Sequence, residues 1–137
     1  MDGENFNWVE ARAECSVMKV FKRLAFGIKA DLDTINRIQG EAARDSHNPP
    51  DRNLEVNASD ARIEITRTIK SQTMNSVEFV REKSSIRVTS DFSGGPKFLA
   101  SPSLSTDGHC VAIVDGCELE LWNVRRKALD ELFFGAV

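Results

Sequence analysis

The chain has 137 residues, a formal net charge of −3 from 18 basic and 21 acidic side chains, and about a quarter of it is Leu, Ile, Val and Phe. That apolar share exceeds the roughly 20% below which chains stay disordered, and the length suits a single domain with one core. The near-balance of charge supplies no global field to gather nucleic acid or an anionic membrane, so neither is an expected partner.

The first residues, MDGENFNW, carry two acids and no apolar run, unlike a secretory or transit segment. The longest apolar stretches are too short to span a bilayer. From Trp8 to Ile38 the chain reads as helix, with Asn7 as N-cap, Glu10 at the capping-box position and Phe6 placed to staple against Ala11. Met18, Phe21, Ala25, Ile28, Leu32 and Ile35 follow a heptad seam, which Val17, Val20 and Leu24 widen on one flank. One straight helix over 8–38 spans about 46 Å, longer than the roughly 37 Å diameter of a compact domain of this size. Either Gly27 breaks it, or the excess packs on a second copy, which makes a homodimer the expected partner state.

Gln39 to Asn53, QGEAARDSHNPPDRN, reads as a loop. Its Asp45, His47 and Asp51 lack the fixed geometry that a metal site needs, so no metal or cofactor is expected. Beyond it the apolar period changes from 3.6 to 2, predicting an antiparallel sheet over 54–122. Ile63, Ile65 and Ile69 share one face of a strand, interrupted by Arg67. A turn at REKS pairs Phe79 with Ile86 and Val77 with Val88, and SGGP at 93–96 makes a further turn.

A three-residue loop, Thr106-Asp107-Gly108 with Gly108 left-handed, puts Phe98, Ala100, Pro102 and Leu104 on one face with Cys110, Ala112 and Val114. Asp115-Gly116 is a type I′ turn that sets Val114 opposite Cys117, Ala112 opposite Leu119 and Cys110 opposite Leu121. Cys110 and Cys117 then lie on the core face, too far apart to bond to each other. With three cysteines and no CxxC spacing, no disulfide framework is expected, and a reduced cytoplasmic protein is the economical reading. The opposite face collects His109, Val111, Ile113, Glu118, Glu120 and Trp122, with His109 across from Trp122.

Residues 123–134 predict a short helix capped by Asn123, with Val124, Ala128, Leu129, Leu132 and Phe133 as its apolar stripe. Arg125, Arg126 and Lys127 stand in its first turn and Asp130 and Glu131 near its end, the reverse of what the helix dipole favours. Pairs Arg126–Asp130 and Lys127–Glu131 at four-residue spacing partly offset that order.

Alternation separates His109 from Cys110, which removes the obvious nucleophile–base pair. No phosphate-loop, dinucleotide, zinc-protease or nucleophile-elbow motif occurs. These readings converge on an α+β protein with an antiparallel sheet of five to seven strands, a long N-terminal helix and a short C-terminal helix on one face. The expected function is a small cytoplasmic protein–protein interaction or regulatory module, non-enzymatic and homodimeric. Its candidate binding patch is His109, Trp122, Arg125 and Arg126, open to an anionic partner. The alternative is a small-molecule-binding domain, enzymatic or not, with an enclosed pocket between helices and sheet.

Overall fold

Two helices, seven strands and a closing helix follow in chain order in the computed structural model, which describes residues 5–46, 52–69 and 73–135. The architecture is α+β with a seven-stranded antiparallel sheet, as the change of period predicts.

Helix α1 (Trp8–Glu14) starts where Asn7 Oδ1 accepts the Glu10 amide at 3.0 Å. It stops because Cys15 leaves helical geometry and Ser16 begins a new cap, its Oγ accepting the Lys19 amide at 3.2 Å. The break in the front helix therefore lies at Cys15–Ser16, and helix α2 (Val17–Ser46) runs unbroken through Gly27. At 30 residues it is about 45 Å long. It also continues through QGEAARDS, which the sequence assigns to a loop, with Arg37 and Glu41 pairing one turn apart. His47 and Asp51 lie outside the described residues.

The buried face of α2 is Val20, Phe21, Leu24, Ile28, Leu32 and Ile35. Met18, expected in the seam, is 45% exposed, and Ala25 only borders the core. The stripe is centred on the flank that the heptad reading treats as its margin. Phe6 covers the 105–109 turn, where a side chain on Gly108 would strike its ring.

The strands are β1 (Arg52–Ala58), β2 (Arg62–Ile69), β3 (Thr73–Arg81), β4 (Ile86–Ser90), β5 (Phe98–Leu104), β6 (Cys110–Val114) and β7 (Cys117–Leu119), paired in chain order. The β3–β4 register differs by two residues from the expected one: Phe79 opposes Val88 and Arg81 opposes Ile86. The tight loop 82–85, closed by the Glu82 amide on the Ser85 carbonyl at 2.8 Å, decides this. A two-residue shift preserves which face each side chain takes, so Val77, Phe79, Ile86 and Val88 are all buried.

The β5–β6 register is the predicted one, with Leu104 opposite Cys110, Pro102 opposite Ala112, and Gly108 at φ +84°. The β6–β7 hairpin agrees too, with Val114 opposite Cys117 and Ala112 opposite Leu119 around Asp115 and Gly116, both at positive φ. The strand then ends at Leu119. Helix α3 (Leu121–Phe134) begins two residues earlier than expected, with Glu120 rather than Asn123 as N-cap.

Helix α1 has no buried residue and touches β5 and β6, while one core joins α2, the sheet and the Val124, Ala128, Leu129, Leu132 and Phe133 stripe of α3. Two ties cross it. Cys15 is disulfide-bonded to Cys110 with a Cα–Cα distance of 5.4 Å, so the expectation of a reduced protein without a disulfide fails. Cys117, expected in the core, is exposed and free because β7 lies at the sheet's edge. Buried Arg67, the interruption in β2, donates from Nη1 to the Leu132 carbonyl at 2.8 Å and to that of Gly135 at 3.4 Å. It therefore places a cation at the C-terminal end of α3, where the helix dipole favours one.

Candidate functional site

The early start of α3 reorganises the expected patch. Trp122 stands in the helix's first turn instead of on a strand, so it does not oppose His109. Its indole N–H donates to Glu120 Oε2 at 2.6 Å, which employs the Glu120 side chain in holding the ring rather than capping the helix. The basic residues fall in the second turn, beyond where the dipole acts strongly.

Arg125 is not a free surface cation. Its Nη1 donates to the Gly27 carbonyl and to Asp31 Oδ2, both at 2.8 Å, and its side chain is only 22% exposed. A Cβ on residue 27 would lie 2.6 Å from that guanidinium, so the glycine is what lets Arg125 reach the α2 backbone. Lys127 sits over the Phe98 ring at 5.6 Å, a cation–π contact. Neither Arg126–Asp130 nor Lys127–Glu131 forms an ion pair among the described residues.

Trp122, Arg125 and Arg126 do come together, at an open groove of about 340 Å³ between α2 and α3. Ile35, Ile38, Leu129, Phe133 and Phe134 supply its apolar lining, with Asp31, Thr34 and Asp130 at its margins. Ile38, Trp122 and Phe134 are 46%, 51% and 68% exposed, so this is a surface patch and not core. His109 belongs elsewhere. It lines a polar cleft of about 490 Å³ with Arg23, Ser105, Asp107, Glu118 and Glu120. Three of the four expected patch residues thus share one site and the fourth does not.

Sequence reasoning missed Ile38 and Phe134 as site residues. The available signal for Phe134 was that Trp122, Arg126, Asp130 and Phe134 are spaced four apart, which places them in one row on α3. Among the described residues, no group of three or more His, Cys, Asp or Glu side chains is arranged to hold a metal ion. No described helix is long and apolar enough to cross a membrane. Comparison with protein-family models, characterised proteins and solved structures found no match to this chain.

Proposed function

We propose that the protein is a small interaction or regulatory module, homodimeric and acting without catalysis, whose working surface is the α2–α3 groove. The observation that carries this reading is the pairing of a filled core with an exposed apolar groove. Leu24, Ile28, Ile63, Ile65 and Phe79 fill the space between helices and sheet where an enclosed ligand pocket would lie, while Ile38, Trp122 and Phe134 stay in solvent. Clustered apolar side chains with a polar rim are characteristic of protein-binding surfaces. Arg126, exposed at that rim, supplies the cation for a carboxylate on the partner.

The scaffold suits such a role. The Arg125 bridge to Gly27 and Asp31 holds the two groove walls together, and Arg67 anchors the far end of α3. A wall held in this way loses less conformational entropy on binding. The Cys15–Cys110 bond supports residence in an oxidising compartment rather than the expected cytoplasm, because disulfides persist where the redox poise is oxidising.

The test is site-specific photocrosslinking in the native host, with the probe at Phe134 and a control probe at exposed Glu55 on β1. The reading requires a discrete protein adduct from Phe134 that excess unlabelled protein competes away. A stoichiometric non-protein mass in native mass spectrometry, with no Phe134 adduct, would favour the small-molecule alternative.

A further inference from the structure

We infer that the occupant of the groove is a second copy of this chain, docked two-fold through the row Trp122–Arg126–Asp130–Phe134 of α3. The inference rests on the interaction-module reading and names its partner.

The row has three relevant properties. All four side chains are exposed. Its chemistry runs aromatic, cation, anion, aromatic, which reads the same when reversed with the charges exchanged. It also stands as a ridge between two concavities: Arg126 and Asp130 line both the apolar groove beside α2 and a second depression of about 420 Å³ shared with Leu119, Asn123, Lys127 and Glu131.

Rows of residues four apart are the ridges by which helices most often pack, one ridge lying in the groove beside the other at a crossing angle of about −50°. Such packing, with a two-fold axis on the groove side of the ridge and level with the midpoint of Arg126 and Asp130, sets each Arg126 beside the partner subunit's Asp130. The same operation sets Trp122 against the partner subunit's Phe134. Every contact then occurs twice, as an isologous interface requires. The pairing also explains why Arg126 and Asp130, one turn apart, form no ion pair within the chain: each is left for the opposite charge on the other copy. Within one helix a basic-first pair is weaker than an acid-first one, but either order is equally serviceable across the axis. The ridge in turn covers Ile38, which is 46% exposed in the single chain.

The experiment is sedimentation of the full chain from about 1 µM to 1 mM, a range suited to an interface at the small end of stable ones. The wild type dimerises. Arg126→Asp alone and Asp130→Arg alone each place like charges face to face at both symmetric contacts and weaken the dimer at least about tenfold. Mixing the two single variants, or combining both changes in one chain, restores association to within about threefold of wild type. Circular dichroism confirms that each variant is folded, as befits substitutions at two exposed positions.

A wild type that is monomeric throughout overturns the inference, as does a dimer indifferent to the single reversals or one that mixing fails to rescue. The two readings fail separately. A Phe134 crosslink to a different protein, with no self-adduct, removes the second copy and with it the homodimer but keeps the interaction module, whereas no adduct at all removes both.

Discussion

Arg125 of α3 donates to the backbone carbonyl of Gly27, in the interior of α2, at 2.8 Å, and the same nitrogen bonds Asp31 one turn further on. A glycine inside a long helix costs about 1 kcal/mol relative to alanine, and here that cost gives a guanidinium access to the backbone. Gly27→Ala should therefore destabilise the protein by about 1 kcal/mol, because lost Arg125 contacts outweigh the gain in helix propensity. In an Arg125→Ala background the sign should reverse, with the same change stabilising by about 1 kcal/mol. Denaturant midpoints of the four proteins in this cycle measure it, and two effects of equal sign would refute the coupling.

The Cys15–Cys110 bond closes a loop with a sequence separation of 95. By loop-closure entropy a constraint of that length stabilises by up to about 4–5 kcal/mol, with about 2–4 typical of measured cases. Replacing both residues by alanine should lower stability by an amount in that range, whereas Cys117→Ser, at an exposed free thiol, should stay within about 0.5 kcal/mol of wild type. Protein isolated under rapid thiol trapping should show one reactive thiol per chain on denaturation. A count of three would return the protein to a reducing compartment.

Arg67 is 3% exposed and closes the last turn of α3 from within the sheet. Arg67→Ala removes this cap and leaves a cavity, with an expected loss of about 3 kcal/mol. Hydrogen exchange should locate the effect first in 129–135, the segment the side chain anchors. Uniform loss of protection across the sheet instead would argue against capping as the main role.

Gly108 and Gly116 both have positive φ, at 84° and 80°, but of the two only Gly108 has neighbours: a Cβ there would strike the Phe6 ring. Gly116→Ala should cost about 1 kcal/mol from backbone strain alone. Gly108→Ala should cost about 1 kcal/mol more, and Phe6→Ala should abolish that difference. Thermal midpoints of the single and double variants give the comparison.

Local periodicity was enough to determine the class of fold. The change from 3.6 to 2 marks where helix gives way to strand, and alternation dictates the buried face of each strand even where the β3–β4 register is misjudged by two. Turn chemistry determined the last two hairpins, because Gly108 and Asp115-Gly116 satisfy backbone conformations that few other residues adopt. These are short-range effects, and a sequence displays them directly.

What only the tertiary structure decided depends on residues far apart in the chain. Cys15 meets Cys110, Arg67 meets the end of α3, and Arg125 meets Gly27, at separations of 95, 65 and 98. No periodicity encodes such meetings; they follow from how the helices lie across the sheet. The same layering carried Trp122 away from His109 and into a row with Arg126, Asp130 and Phe134. The reversed charges of α3, anomalous for a helix in isolation, acquire a physical reason once Arg125 is seen bound to α2 and Arg67 is seen supplying the cation at its far end.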